Sequence, residues 1–171
     1  LEYTSGQIQI MSPFFSQNAH LTKIDFSDSA LDSEAIDALT EAIKERGENA
    51  RTIRSFHYKS SVALPSQISA MVELAKTCTH LTTLKLSCPG SVVDLNSCQA
   101  IASFLASKNC MLRKLDLHGN SISDDGCRII AESLRINKRL RYCGIFSSEV
   151  TGRGFASFIP VVCDASSIES T

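Results

Sequence analysis

The sequence predicts an α/β solenoid of about five strand–helix repeats, with a parallel sheet on one side, helices on the other and a continuous core between them. Three observations support this fold class. The pattern apolar-x-x-apolar-x-apolar recurs five times along the 171 residues, and successive copies start 28 to 32 residues apart. Each copy is followed by apolar residues at helical spacing. A single strand–helix unit cannot bury its own apolar face, whereas stacked units can.

The five copies of the pattern predict five short strands. Alternate side chains of a strand point to opposite faces, so the second and third apolar residues of each copy face the core and the residue between them faces solvent. The first apolar residue packs the joint with the preceding helix. The copies are Leu21, Ile24 and Phe26; Ile53, Phe56 and Tyr58; Leu81, Leu84 and Leu86; Leu112, Leu115 and Leu117; and Leu140, Cys143 and Ile145.

A helix is predicted after each strand. Its inward positions in the first four repeats are Ile36, Leu39 and Ile43; Ile68, Met71, Val72 and Ala75; Ile101, Phe104 and Leu105; and Ile130 and Leu134. Asp32 or Ser33 caps the first helix, and Ser66 caps the second. A shift of 28 residues lays the fourth repeat on the fifth, so a fifth helix is expected, interrupted by Pro160.

The whole chain, 1–171, is predicted to be a single domain. Residues 12–20, with Phe14 and Phe15, form a partial amino-terminal repeat, residues 21–163 the five repeats and residues 164–171 a carboxy-terminal tail. Solenoids need a polar cap at each end, and this tail is the only material for one at the far end. Self-association or a neighbouring domain is therefore expected at the uncapped ends, as in a truncated or partner-capped array.

The stretch "LRKLDLHGNSISDDG", which begins at Leu112, carries a family resemblance. Its LxxLxLxxN pattern and long following helix resemble the leucine-rich repeats of the ribonuclease-inhibitor-like class. That resemblance implies a right-handed β-α superhelix with the sheet on the concave side and the helices on the convex side. In the family, the asparagine side chain bonds backbone groups where the chain leaves the strand. The corresponding positions here are Ser29, Ser61, Pro89, Asn120 and Ser148, so only the fourth repeat keeps the asparagine.

Composition argues against several classes of partner. The net charge is −1, which gives no broad electrostatic reason to expect nucleic acid or an anionic membrane. No apolar run approaches the roughly 20 residues that span a bilayer. The seven cysteines show no paired short spacing, so they are expected to be reduced, buried thiols in the cytoplasm. Cys78 and His80 are the pair whose spacing most resembles that of metal ligands, but a zinc site needs two more ligands and the sequence has no second pair of this kind. No metal or other cofactor is therefore expected.

The solvent-facing strand positions are the candidate partner-binding site, because the concave face is where a leucine-rich repeat usually acts. Equivalent positions of adjacent strands form lateral rows about 4.8 Å apart. The predicted site residues are Asp25, His57, Lys59, Lys85, Lys114, Asp116, His118, Tyr142 and Phe146. Tyr142 and Phe146 form an aromatic pair at one edge and are the expected anchor. The alternative is a set of solvated charges worth about 0 to 1 kcal/mol per pair.

A basic cluster near the last repeats leaves two interpretations open. It consists of Arg135, Lys138, Arg139, Arg141 and Arg153. Favourable charge at a helix carboxyl end explains part of it. An acidic partner that docks there is the alternative.

The function predicted from these features is a non-catalytic protein-interaction module, part of a larger signalling, regulatory or effector protein. No nucleophile elbow, P-loop, HExxH or paired-carboxylate motif occurs in the sequence, so no catalytic residue is assigned. The partner is a protein, bound through the concave surface or an edge. One alternative is a GTPase-activating or other enzyme-regulating repeat domain. Another is an actin-capping-like domain, because short arrays of this kind resemble the capping domain of tropomodulins in architecture.

Overall fold

A computed structural model of the protein describes residues 2–27, 29–61, 63–147 and 149–162. The strands are β1 (Glu2–Tyr3), β2 (Lys23–Ser27), β3 (Ala30–Leu31), β4 (Ser55–Lys59), β5 (Thr83–Ser87), β6 (Val92–Val93), β7 (Lys114–Asp116), β8 (Ser121–Ile122) and β9 (Tyr142–Gly144). The helices are α1 (Ser5–Gln17), α2 (Ser33–Glu45), α3 (Pro65–Thr77), α4 (Leu95–Ala106), α5 (Asp124–Leu134), α6 (Gly152–Ala156) and α7 (Ile159–Val162). A 3-10 helix, Gly47–Thr52, follows α2.

The five predicted strands form one parallel sheet in the order β2-β4-β5-β7-β9. Neighbours in the sheet are neighbours in the repeat array, and the register matches the repeat spacing. For example, Leu84 lies opposite both Phe56 and Leu115. The prediction of an α/β repeat solenoid is confirmed.

The predicted apolar positions form one core between the sheet and the helices. Leu115 and Leu117 of the stretch that begins at Leu112 are fully buried, as are the inward residues Ile36, Met71 and Ile130 of three helices. Burial weakens towards the last strand, where the three apolar residues of the fifth copy are only partly buried. The reason is that β9 pairs with β7 on one side and with no strand of the described residues on the other.

Besides β1, three further short strands were not predicted. β3, β6 and β8 each hold two residues and lie in the loops between a main strand and the following helix. β3 pairs with β1, and β6 pairs with β8, both in parallel. A two-residue strand has no periodic apolar signal of its own, so a sequence pattern does not reveal it.

The first residues of α2 and α3 confirm one predicted helix cap and contradict another. Asp32 caps α2, because its Oδ1 accepts a hydrogen bond from the Ala35 amide at 2.7 Å. Ser66 is not the cap of α3: that helix starts at Pro65, and Leu64 is the N-cap residue. Proline suits the first helical position because its fixed φ matches the helix and its missing N–H would have no intrahelical partner there. The Gln67 side chain accepts the Leu64 N–H at 2.8 Å in place of a serine cap.

Both ends of the array are helical. The amino-terminal helix α1 starts well before residue 12, the first residue of the predicted partial repeat, and buries Ile8 and Phe15 against α2, while Phe14 is exposed. At the other end the predicted fifth helix is present in two pieces, α6 and α7. Its break precedes Pro160, as expected of an interior proline. Ser148, Cys163 and the tail 164–171 lie outside the described residues, and the division of 1–171 into repeats and tail stays a prediction.

The cysteines of the described residues are free thiols. Five of them, Cys78, Cys88, Cys98, Cys110 and Cys127, are buried, and Cys143 is partly buried. Burial raises the pKa of Cys78 to about 11 and that of Cys98 to about 12. These groups are therefore neutral near pH 7 and pack as small apolar side chains.

Candidate functional site

The face of the main sheet that points away from the helices, called the sheet face below, carries all nine predicted site residues in or just beyond its strands. Its rows follow from the strand register. Asp25, His57, Lys85, Asp116 and Gly144 form the middle row, and Lys23, Ser55, Thr83, Lys114 and Tyr142 the row before it. Ser27, Lys59 and Ser87 form a third row, which His118 and Phe146 continue past the ends of their strands.

At the first strand, Asp25 is the centre of a small polar network. Its carboxylate lies 2.7 Å from Lys23 Nζ and 3.4 Å from His57 Nδ1, and it accepts hydrogen bonds from Ser27. The hydrogen bonds from Lys23 and Ser27 hold the pKa of Asp25 well below its usual range. Asp25 is therefore ionised at any physiological pH and neutralises one cation of the sheet face.

The ring of His57 contacts Ser55 through one nitrogen and Asp25 through the other, which is the arrangement of a Ser–His–Asp triad. Its Nε2 lies 2.9 Å from Ser55 Oγ. Burial, followed by the charge of Lys23, lowers the pKa of His57 below 6.5, so the ring is neutral near pH 7. Acyl transfer also needs donors for an oxyanion beside the serine, and the Ser55 amide is already bonded to the Thr22 carbonyl at 3.2 Å. That amide is committed to the sheet, and the contact orients His57 on the sheet face.

At the last two strands, His118, Tyr142 and Phe146 gather around Gly144. The ring of His118 stacks on Phe146 with centroids 6.4 Å apart and an interplanar angle of 16°. Lys114 Nζ lies 4.3 Å from the centre of the Tyr142 ring, which is a cation–π contact. We call His118, Tyr142 and Phe146 the aromatic cluster. Tyr142 is 42% exposed and Phe146 68% exposed, so the cluster presents apolar surface to solvent.

Gly144 makes room for this cluster. It is buried, and a Cβ at this position would lie 2.5 Å from His118 Cε1 and 2.8 Å from the Tyr142 hydroxyl. Any other residue would push the two rings apart. Sequence reasoning did not assign this role to Gly144, although the absence of a side chain next to two aromatic positions is a signal that could have revealed it.

Asp116 fixes the orientation of His118. Its Oδ1 lies 2.6 Å from His118 Nδ1. Burial raises the pKa of Asp116, but hydrogen bonds from His118 outweigh it, and the net pKa lies below the usual range. The ionised carboxylate holds the imidazole at Nδ1 in the orientation in which one face of the ring stacks on Phe146.

The two histidines among the predicted site residues take part in separate contacts. His57 belongs to the Asp25 network and His118 to the aromatic cluster. In residues 2–27, 29–61, 63–147 and 149–162, no group of three or more His, Cys, Asp or Glu side chains could hold a metal ion. Each helix in the same part of the chain is too short or too polar to cross a lipid bilayer.

The five parallel strands, the helical layer and the repeat register define an α/β repeat solenoid. A family profile described as Leucine Rich repeat matches residues 108–131, which run from the loop before β7 into α5. The fold is similar to a solved structure from Caenorhabditis elegans described as the tropomodulin C-terminal domain, with a TM-score of 0.65, 13% identity, and coverage of 92% of this chain and 90% of that chain. One repeat is thus matched directly, and both findings support the interpretation of the chain as a leucine-rich repeat array.

Proposed function

We propose that this protein is a non-catalytic protein-interaction module that binds a protein partner through the sheet face. The observation that carries the proposal is the aromatic cluster, an exposed apolar patch on an otherwise charged face. Aromatic side chains supply much of the binding energy at protein interfaces. A role within a larger signalling, regulatory or effector protein belongs to this proposal, as does a cytoplasmic location, which the six free thiols among the described residues support.

Replacing Tyr142 and Phe146 with alanine is expected to weaken partner binding at least about thirtyfold, since two anchor residues of this kind contribute about 2 kcal/mol or more. The partner is first identified by photocrosslinking from benzoylphenylalanine placed at position 146. Its dissociation constant is then measured with the wild-type protein and with the variant.

Leu95 supplies the matched control for that experiment. It is a large apolar residue, 50% exposed, in the first turn of α4 on the helical side. Leu95→Ala is expected to bind as the wild type does. If the Tyr142→Ala/Phe146→Ala protein is folded by circular dichroism and binds equally well, the aromatic cluster is not the anchor.

The triad-like contact allows a test of the non-catalytic part of the proposal. We expect a fluorophosphonate probe, which labels activated serines, to leave Ser55 unmodified, because its amide is bonded to Thr22 and gives no oxyanion donor. Labelling is read by intact-protein mass spectrometry, with Ser55→Ala as the control. A covalent adduct that disappears in Ser55→Ala would contradict the proposal.

A second candidate function is the capping of an actin filament end. The similarity to a tropomodulin C-terminal domain favours it, through shared architecture at 13% identity. Elongation of pyrene-labelled actin from capped seeds tests this function directly. Elongation that slows with protein concentration supports it, and an unchanged rate rejects it.

A further inference from the structure

Charge is unevenly distributed between the two sides of this solenoid. Residues 18–27, 53–59, 78–87, 107–118 and 136–146 contain the main strands and the loops that lead into them, and we call them the strand side. They contain ten lysines and arginines but only two carboxylates, Asp25 and Asp116. The ten cations are Lys23, Arg54, Lys59, Lys85, Lys108, Arg113, Lys114, Lys138, Arg139 and Arg141. The net charge of −1 for the whole chain therefore conceals a strongly basic side.

The cations of the two sides also differ in their partners. On the helical side, Lys44, Arg51 and Lys76 each pair with a glutamate three residues away, and Arg128 pairs with Asp125 and Glu132. Arg135 and Arg153 are the helical-side arginines that make no ion pair with a described residue. On the strand side, eight cations make no ion pair with any residue that the structure describes. They are Arg54, Lys85, Lys108, Arg113, Lys114, Lys138, Arg139 and Arg141. Like charges left unpaired on one surface repel one another and favour an anionic partner.

Three of these arginines lie in one line. Backbone hydrogen bonds of 2.8 to 2.9 Å join Thr22, Arg54, Thr82, Arg113 and Arg141 in that order, at the amino-terminal edge of the sheet. Arg113 and Arg141 directly precede the neighbouring strands β7 and β9, which lie about 4.8 Å apart at the backbone. Lys114 and Tyr142 follow them directly in sequence. The basic edge therefore borders the starts of β7 and β9, the two strands next to which the aromatic cluster lies.

We infer that the partner presents an acidic protein segment to this surface, with carboxylates on Arg113, Arg141 and Lys114 and an apolar side chain on the aromatic cluster. This inference rests on the proposed function and names the chemistry of its partner. Arginine side chains bind carboxylates through two parallel hydrogen bonds. The opposite charges also speed association and orient the segment.

A protein segment fits this surface better than a nucleic acid does. Asp25 and Asp116 lie in the middle row of the sheet face and are ionised, so they repel a continuous line of phosphates across that row. An acidic peptide can place its carboxylates at the basic edge and an uncharged residue beside each aspartate. Phe146 is already stacked on His118, which leaves one face of its ring for an apolar side chain.

The test uses fluorescence anisotropy with a labelled twelve-residue peptide of aspartate and glutamate around a central phenylalanine. Saturable binding that weakens with added salt is expected. Arg113→Glu/Arg141→Glu is expected to weaken binding at least about tenfold, because two attractive contacts become repulsive. Arg113→Gln/Arg141→Gln is the milder variant, should charge reversal disturb folding. Lys44→Glu/Arg128→Glu makes the same change in charge on the helical side and is expected to leave binding unchanged.

Two ligand controls separate the possible sources of negative charge. A peptide with lysine in place of each acidic residue is expected not to bind, and an oligothymidylate of twelve nucleotides is expected to bind more weakly than the acidic peptide. Equal or tighter binding of the oligonucleotide would overturn the inference in favour of a nucleic acid. Equal loss in the variant on the helical side would overturn it in favour of unspecific attraction.

The failure of this inference can be told apart from the failure of the proposed function. If the crosslinked partner still depends on Tyr142 and Phe146 but is insensitive to both arginine variants, the acidic segment is wrong and the interaction module stands. If no partner depends on the aromatic cluster for binding, the proposed function is wrong about its anchor residues, whether or not the acidic peptide binds.

Discussion

Asn120→Ala is expected to lower the free energy of unfolding by about 3 kcal/mol, because it removes three buried hydrogen bonds, two of which join neighbouring repeats. The side chain is 2% exposed. Its Oδ1 accepts the Cys88 amide at 2.8 Å, and its Nδ2 donates to the carbonyls of Leu86 at 2.7 Å and Leu117 at 2.8 Å. Truncation leaves one amide and two carbonyls inside the protein without these partners, and each unmet buried group costs about 1 to 3 kcal/mol.

Urea denaturation followed by circular dichroism measures this loss, and two variants bracket it. Asn120→Ser is expected to lose less, because a hydroxyl can keep one bond, as Ser29 does with the Ser27 carbonyl. Asn109→Ala changes an exposed asparagine in the preceding loop and is expected to stay within about 0.5 kcal/mol of the wild type. A loss below about 1 kcal/mol for Asn120→Ala would show that the bonds across the repeats contribute little.

The main strands and most helices could be predicted because their signal repeats. Each strand–helix unit must bury the same positions, so a weak apolar pattern gains weight from five copies. Leu84 and Ile68 were assigned to the core in this way, and both are about 1% exposed. The start of α3 could not be assigned in this way, because a cap is a local contact: Gln67 serves the Leu64 amide where a serine was expected.

The same distinction holds for the candidate site: the rows of residues could be predicted, and the contacts between their side chains could not. The rows of the sheet face follow from the register, which the pattern of buried residues fixes. The contacts within and between rows do not follow from it. The approach of Ser55 to His57 and the space that Gly144 leaves for two rings depend on side-chain rotamers and on distances across strands. Residue spacing carries neither kind of information.

Arg46 shows the same limit in the core, since its sequence position suggests an ordinary charged residue at the end of α2. It is instead 3% exposed. Its guanidinium group donates to the Phe15 carbonyl and, at 2.9 Å, to Thr52 Oγ1, whose hydroxyl donates to the Leu21 carbonyl at 2.7 Å. One side chain thereby joins the end of α1, the 3-10 helix and the start of the first repeat. Burial lowers the pKa of Arg46, and these bonds compensate for part of the cost of desolvating the charge.

Arg46→Ala is expected to lower the free energy of unfolding by about 3 kcal/mol, through the lost charged hydrogen bonds and the cavity left by the aliphatic stem. Arg46→Met refills the cavity without the bonds and is expected to recover about half of that loss. Urea denaturation measures both. Hydrogen exchange of the α1 amides is expected to quicken in both variants, because α1 loses its bond through Phe15.

Arg51→Ala is the matched control for Arg46. Arg51 lies in the adjacent 3-10 helix, pairs with Glu48 at 2.6 Å, and its side chain is 58% exposed. An exposed pair of this kind contributes little, so a change within about 0.5 kcal/mol is expected. If Arg46→Met is as stable as the wild type, the packing of the stem accounts for the whole effect. If α1 exchanges no faster in Arg46→Ala, then the hydrogen bond from Arg46 to Phe15 does not help to hold α1 to the first repeat.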